Sequence, residues 1–380
     1  MTVYNPTFEI DLAALCANYR RLARATPKAT AAAVVKCDAY GLGADAVGRA
    51  LFRREDCQTF FVAYSEEGAA LRGALGPEAE IFVFNGPIPE NLKTYRDFAL
   101  TPVLNSPEQA ALWAAKMGGA PAALHIDTGM HRLGVAPATL GAIKAINGLN
   151  LTLVMSHLAC ASDSAHAMNE RQRAAFAQLA AQFPTARRSL ASSGGALIGE
   201  AFGFDMVRLG VGLYGVSPFD NAAAVFAPVA TLTAPVIQLH SMKAGETVGY
   251  GASFTADRDR DLATVGLGYG DGYPRAGSNS GAAFLAGALC PILGRVSMDL
   301  IVLDVTAAPS RPKIGDRAEF FGLKISIDAA AKACGTIGYE LLTGIGGLAR
   351  PRRGLGGRVE RRYLWNGAPA PTDLTGAQGT

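Results

Sequence analysis

Apolar and polar positions divide this chain into two unlike parts. Over the first 215 residues or so, short apolar runs alternate with longer segments of helical period. The runs are Ala31–Val35, Phe60–Tyr64, Ile81–Phe84, Leu100–Leu104, Ala122–Ile126, Leu151–His157, Ser189–Ser192 and Met206–Leu209. Runs of that length, bounded by turn signals, read as buried strands. Between them Ser65–Leu75, Pro107–Met117 and Met168–Gln182 have helical character. Ser65-Glu66-Glu67 and Ser106-Pro107-Glu108 look like helix starts, a cap residue followed by proline or acid in the first turn. Eight strands alternating with helices predict an α/β fold, a closed (β/α)8 barrel of TIM type rather than an open doubly wound sheet.

Before the first barrel strand, Phe8–Ile10 reads as a strand and Asp11–Ala25 as a helix. That strand has no place in the barrel and is a candidate to join a second domain. From Pro228 onward the pattern becomes β-rich and helix-poor, with runs at Val236–His240, Leu262–Leu267, Ile301–Val305 and Arg317–Phe321 and a short helix at Asp328–Cys334. The expected organisation is a barrel over residues 8–227, a mostly β domain over 228–365, which residues 1–10 could join, and a disordered tail over 366–380.

Composition narrows the function. The chain has 380 residues, 49% hydrophobic and 18% charged, enough for one large domain and a second. A net charge of +3 is too mild to argue for nucleic acid or an anionic membrane. Arg350, Arg352, Arg353, Arg358, Arg361 and Arg362 cluster late, but no aromatic residues interleave with them as a base-stacking platform would require, and they read as a solvated surface. No apolar stretch is long enough to span a membrane, and no basic-then-apolar leader is visible at Met1-Thr2-Val3-Tyr4, so a cytoplasmic protein is expected. The six cysteines form no C-x-x-C pair and read as reduced thiols.

Barrels present their chemistry at the C-terminal ends of the strands, and polar residues gather there. Lys36 follows the first run, in Val34-Val35-Lys36-Cys37-Asp38-Ala39-Tyr40-Gly41. A partly desolvated lysine at that point is a candidate Schiff-base nucleophile; a lysine that turns out to solvent is the plain alternative. Strand alternation would send Cys37 to the opposite face. His157 ends the sixth run, Ser192-Ser193-Gly194-Gly195 follows the seventh, and Arg208-Leu209-Gly210-Val211-Gly212 ends the eighth. Glycine and serine after strands seven and eight are where barrels build phosphate sites from backbone N–H groups. The first and last strands become neighbours when a barrel closes. A phosphate-bearing aldehyde bound between them would be pyridoxal phosphate.

Six segments, in order along nearly the whole chain, resemble the alanine racemase family of fold-type III pyridoxal phosphate enzymes. They are Ala33–Gly43, His125–Gly134 (His-Ile-Asp-Thr-Gly-Met-His-Arg-Leu-Gly), Arg208–Gly215, Val248–Gly251 (Val-Gly-Tyr-Gly), Gly268–Arg275 (Gly-Tyr-Gly-Asp-Gly-Tyr-Pro-Arg) and Gly294–Asp299 (Gly-Arg-Val-Ser-Met-Asp). The resemblance implies interconversion of L-alanine and D-alanine, for peptidoglycan or for catabolism, by a homodimer with active sites shared between subunits. It implies that Lys36 binds the cofactor and serves as one base. Tyr250 would be the second base, supplied by the other subunit, with His157 placed to hydrogen-bond it. A phenol titrates near pH 10, so its surroundings must lower it. Arg208 would face the pyridine nitrogen and, keeping its own proton, leave that nitrogen unprotonated. Tyr40, Ser193 and the amides of Gly210 and Val211 would hold the phosphate. Arg132 and the N–H of Met298 would hold the substrate carboxylate, and Tyr269 and Asp299 match entryway and pocket motifs. No metal is implied.

Three departures stand out. Many members carry a carbamylated lysine two residues before Asp-Thr-Gly, whose negative charge braces the substrate-binding arginine. Here His125 stands there and cannot form that stable carbamate. The brace is expected to be replaced, by chloride or another acceptor, with His125 neutral. Thr343–Ala349 has no aromatic where some members place a phosphate tyrosine, and Pro351-Arg352-Arg353 runs into Gly354. Ser192 replaces a frequent asparagine. Rival readings are a racemase for another small amino acid such as serine, or a decarboxylase on the same barrel. Arg208 speaks against the decarboxylase, which would offer an acid to the pyridine nitrogen. A non-catalytic cofactor-binding protein would lack the second domain. A metal-dependent barrel hydrolase would use His125, Asp127, His131 and His157, but lacks a His-x-His on the first strand.

Overall fold

The computed structural model describes residues 5–220, 226–348 and 359–376. β1 (Thr7–Asp11) leads into α1 (Leu12–Ala25), which Asp11 caps by accepting the N–H groups of Ala13 and Ala14 at 2.9 and 3.1 Å. Eight parallel strands follow: β2 (Thr30–Val34), β3 (Thr59–Val62), β4 (Glu80–Val83), β5 (Thr101–Leu104), β6 (Pro121–His125), β7 (Asn150–Met155), β8 (Arg187–Ser192) and β9 (Met206–Leu209). They close into a barrel in chain order, with β9 paired to β2. Each strand coincides, within a few residues, with one of the eight apolar runs. The cap of the Ser65–Leu75 helix lies one residue earlier than its sequence suggests, because Glu67 reaches back to the N–H groups of Ala63 and Tyr64 at 2.8 and 3.3 Å.

Alternation fills the barrel. Val34, Phe61, Phe82, Ala123, Met155 and Met206 pack together inside, with the rings of Phe61 and Phe82 stacked at 4.8 Å. Their neighbours, such as Phe60, Leu124, Val154 and Val207, pack outward with the helices. The inward parity, continued by two residues, reaches Lys36 after Val34, His125 after Ala123, His157 after Met155, and Arg208 after Met206. The polar site is therefore the next layer above an apolar plug.

The second domain is a sheet around β10 (Ala230–Met242). After a small ribbon of β11 (Thr247–Val248) and β12 (Phe254–Thr255) come β13 (Arg260–Val265), β14 (Ala282–Leu285), β15 (Ala288–Pro291), β16 (Ile301–Asp304), β17 (Arg317–Phe321), β18 (Glu360–Trp365) and β19 (Ala368–Pro369). β1 lies in this sheet, antiparallel to β10 and parallel to β18. Phe8, fully buried on β1, packs edge-on to Phe321 at 6.3 Å.

Two expectations need correction. A helix at Gly338–Leu348 was not legible, because Gly338, Gly344, Gly346 and Gly347 give it poor propensity. Buried Leu341, Leu342 and Ile345 hold it instead. The expected tail from residue 366 is structured as far as Gly376: β19 and a helical turn at Thr372–Thr375 dock through buried Leu374, and Asp373 pairs with Arg54 at 3.0 Å and Arg53 at 3.5 Å. One aliphatic anchor and one acid are too little signal for composition to register. Met1–Tyr4, Arg350, Arg352, Arg353, Arg358 and the Pro351–Gly354 segment lie outside the described residues. No helix among the described residues is long and apolar enough to cross a membrane.

Candidate active site

The lysine sits on an unusual turn. β2 ends at Val34, and after Lys36 the backbone of Cys37, Asp38, Ala39 and Tyr40 takes φ values of 52, 56, 52 and 57°, followed by Gly41 at 87°. L-residues avoid this left-handed region at roughly 1–2 kcal/mol each, or about 4–8 kcal/mol for four. The surroundings hold it. Glu67 accepts the Cys37 N–H at 2.7 Å, and Asp38 accepts the Ala44 N–H at 2.8 Å. Arg361 pairs with Asp38 at 3.2 Å and donates to the carbonyls of Gly41 and Gly346, both at 2.8 Å. A Cβ at Gly346 would lie 2.0 Å from the Gly41 oxygen, so the helix and the turn touch backbone to backbone. Two expectations change here. Cys37 belongs to the left-handed turn, so strand alternation does not set its direction. Arg361 is a nearly buried strut rather than part of a solvated surface, because β18 lies inside the sheet edge, against the turn.

Above the apolar plug is a cavity of about 530 Å³. Lys36, Tyr40, Arg132, His157, Ser193, Arg208, Gly210 and Val211 all line it, together with His125 and Tyr339. None of its lining residues is aspartate or glutamate. Lys36 Nζ lies 6.0 Å from the centre of the Phe84 ring.

Arg208 is 2% exposed and ion-pairs with no acid among the described residues. It donates to Ser189 Oγ and the Ser156 carbonyl, both at 2.6 Å, and to the Leu190 carbonyl at 3.2 Å. Burial lowers its pKa to about 9, which still leaves it charged at neutral pH. A guanidinium can only donate, so the 3.3 Å contact to His157 Nδ1 makes that nitrogen the acceptor and places the imidazole hydrogen on Nε2. Burial, then the charge of Arg208, pushes the His157 pKa well below its usual value, and the ring is neutral.

Elsewhere on the cavity wall, Ser193 Oγ accepts the N–H groups of Gly210 and Gly212 at 2.9 and 3.3 Å. The Gly210 amide thus serves Ser193. The Ser193 hydroxyl hydrogen and the Val211 N–H remain as donors. Gly210 has no room for a side chain, since a Cβ would meet Tyr40 Oη at 2.9 Å. Tyr40 packs on Tyr214 with centroids 4.7 Å apart, and burial raises its pKa, keeping the phenol protonated. Hydroxyl and amide donors, a buried cationic donor and a lysine on the wall of one cavity fit pyridoxal phosphate.

Tyr250, Tyr269, Met298 and Asp299 do not line this cavity. They gather on the second domain, where the Tyr269 N–H meets the Ser297 carbonyl at 3.0 Å and the Gly270 N–H meets the Met298 carbonyl at 2.7 Å. Gly251 allows Arg295 to lie close by, 3.1 Å from where a Cβ would be. The patch is open: Tyr250 is 71%, Met298 59% and Tyr269 41% exposed. No hydrogen bond joins His157 to Tyr250 within one chain. His125, Asp127, His131 and His157 do not converge as a metal site would need, since Asp127 binds the N–H groups of Gly129, Met130 and His131 at 2.9–3.2 Å. Asn105, Tyr339 and Arg361 are site neighbours that no motif marks.

Two family models match this chain: the alanine racemase N-terminal domain over residues 10–218 and its C-terminal domain over residues 229–353. A Methylobacterium alanine racemase is 46% identical over 93% of this chain and 96% of its own length. A catabolic alanine racemase of Agrobacterium fabrum is 44% identical over 96% of this chain and 94% of its own. The crystal structure of a Bartonella henselae alanine racemase with covalently bound pyridoxal phosphate superposes with a TM-score of 0.86 at 35% identity, covering 95% of this chain and 99% of that one. A biosynthetic alanine racemase from Pseudomonas aeruginosa superposes with a TM-score of 0.85 at 34% identity over 95% of this chain and 99% of that one.

Proposed function

This chain belongs to the alanine racemase family, and from that premise we propose how its own residues interconvert L-alanine and D-alanine with pyridoxal phosphate. The observation that carries the proposal is the cavity that unites Lys36, Arg132 and Arg208 with no lining carboxylate. Such a cavity favours a ligand that is anionic at both ends, a phosphate near Ser193 and Val211 and a carboxylate near Arg132. In this reading the barrel, residues 8–227, holds the cofactor, and the β domain, residues 228–365, presents Tyr250 to a second copy of the chain.

Pyridoxal phosphate, when bound, supplies an electron sink that acidifies the substrate's α-proton. Lys36 Nζ would hold the cofactor at rest and, once released as a free amine by the substrate's own amino group, would stand on one face of the α-carbon, taking the proton from the enantiomer that presents it there and returning a proton to that same face in the reverse direction. Inversion needs a second group on the opposite face. Tyr250 Oη of the second copy fills that role. Its exposure and its absence from the lining of its own chain's cavity support this, as do the exposed apolar side chains of Leu133 and Ile337 near the cavity, which match exposed Tyr269 and Met298. His157 Nε2–H then donates to Tyr250 Oη and favours the phenolate. Arg208 offers hydrogens only, so it would hold the pyridine nitrogen without protonating it and would leave the cofactor a weaker electron sink. The N–H of Met298 in the second copy joins Arg132 at the substrate carboxylate, and Tyr269 and Asp299 border the entrance.

The test is spectroscopic. The purified enzyme should show a band near the visible edge that borohydride abolishes and that Lys36→Ala lacks. Persistence of that band in Lys36→Ala would sink the assignment.

A further inference from the structure

His157 stands just past the hold of the barrel. β7 ends at Met155, and the Ser156 N–H still donates to the Ser189 carbonyl of β8 at 3.0 Å. The imidazole belongs to the next residue, which lies outside the strand. Its backbone is held instead by a side chain 15 positions further on. Gln172, on the helix Ala167–Ala180, is 1% exposed. Its Oε1 accepts the Ala159 N–H at 2.8 Å, and its Nε2 donates to the His157 carbonyl at 3.0 Å and to Thr128 Oγ1 at 3.3 Å.

These partners settle which way the amide faces. Turned over, it would aim oxygen at the His157 carbonyl and nitrogen at the Ala159 N–H. Burying a glutamine costs rotamer freedom and hydration, and an apolar side chain would seat the helix without either cost. What the amide adds is a fixed backbone on both sides of Leu158, which is itself buried. Arg208 does not depend on this clamp. Its partners, Ser189 Oγ and the carbonyls of Leu190 and Ser156, lie on β8 or at the end of β7, where the sheet's own ladder holds them.

We propose that Gln172 is a positioning residue for one face of the reaction: by holding the His157 carbonyl and the Ala159 N–H, it aims the His157 Nε2–H at the Tyr250 hydroxyl of the second copy. This rests on the assignment of Tyr250 and His157 above. Lys36 stands on a turn held by Glu67 and Arg361, so loss of Gln172 acts on the Tyr250 face of the α-carbon and spares the Lys36 face.

The test compares exchange with racemisation in the holoenzyme. Gln172→Met keeps the length of the side chain and removes its hydrogen bonds. Gln172→Asn, gentler on the fold, keeps an amide that falls one methylene short. In heavy water, the rate at which deuterium enters the α-position of unracemised alanine is divided by the rate of racemisation, starting from each enantiomer. Tyr250→Ala is the benchmark, since it leaves exchange on the Lys36 face. Both Gln172 variants should keep the visible band and raise the ratio roughly 10–100-fold, the loss that a misplacement of about 1 Å brings, in the same enantiomer as Tyr250→Ala. A merely structural role would lower exchange and racemisation together, and a parental ratio in the variants would overturn the proposal. If Tyr250→Ala raises the ratio and the Gln172 variants do not, the positioning role fails and the two-base reading stands. If Tyr250→Ala also keeps the parental ratio, both fail.

Discussion

Replacing Arg361 by methionine tests what keeps the lysine turn left-handed. The substitution keeps the apolar stem and removes the guanidinium. Asp38 loses its ion pair at 3.2 Å, and the carbonyls of Gly41 and Gly346 lose their donors at 2.8 Å. Breaking a buried pair costs about 3–5 kcal/mol, and both side chains here are only 14% exposed. That is comparable with the lower part of the roughly 4–8 kcal/mol stored in four left-handed residues, so the turn should relax toward ordinary backbone. If about 3 kcal/mol is lost from the cofactor-competent form, affinity for pyridoxal phosphate falls about a hundredfold. Equilibrium titration of the apoenzyme with cofactor, followed by the visible band, reads this directly, and urea unfolding reads the loss of stability. Arg362→Met is the control: Arg362 is 38% exposed and, among the described residues, pairs with Glu360 and Glu9, so its loss should cost no more than about 1 kcal/mol and leave affinity unchanged. Parental affinity and stability in Arg361→Met would refute the strut.

Other consequences follow from the same geometry. Gly346→Ala drives a Cβ to 2.0 Å from the Gly41 oxygen and should impair cofactor binding at least as severely, whereas Gly347→Ala, with nothing near its Cβ, should be neutral or stabilising by up to about 1 kcal/mol. Ser193→Ala leaves the amides of Gly210 and Gly212 without their acceptor and removes a phosphate donor; an expected loss of about 1–3 kcal/mol makes cofactor affinity fall roughly 5–150-fold, measurable by the same titration. Acid should destabilise the fold in a defined window. The native His125 pKa is about 4 against an unfolded value of 6.5, so the unfolded chain binds a proton that the native one refuses as pH falls through that range. Stability should drop by up to about 1.4 kcal/mol per pH unit from this group, with His157 adding in the same direction. A urea midpoint that stays flat between pH 6.5 and 4.5 would contradict the burial of two neutral rings.

The barrel was legible because its strands obey a period of two between helices of period 3.6, and because burial on both faces makes each strand an apolar run. The same parity explains why Lys36, His157 and Arg208 could be singled out: each stands at or near the C-terminal end of an apolar run, where the core ends and the cavity starts. The left-handed turn was not legible, since Cys37, Asp38, Ala39 and Tyr40 have no intrinsic preference for it. It is imposed by Glu67 and by Arg361, which lies 323 positions from Asp38 in the chain. Gln172 was hidden for a similar reason: its importance lies in the His157 carbonyl and the Ala159 N–H that it meets, and these come within its reach only once the helix Ala167–Ala180 lies against the end of β7. Gly210 shows the opposite limit, a residue found at the right place whose amide turned out to serve Ser193.

The central claim is that the two opposed bases, Lys36 and Tyr250, come from different copies of the chain, and subunit complementation tests it most directly. Lys36→Ala and Tyr250→Ala are each inactive in racemisation on this account. Unfolded together and refolded, they form hybrid dimers in which one site carries both substitutions and the other carries neither. The account predicts that racemisation returns in the mixture, in proportion to the hybrid dimers. If each site were built within one chain, every site in the hybrid would lack one base, and a mixture that stays inactive despite demonstrated hybrid formation would contradict it.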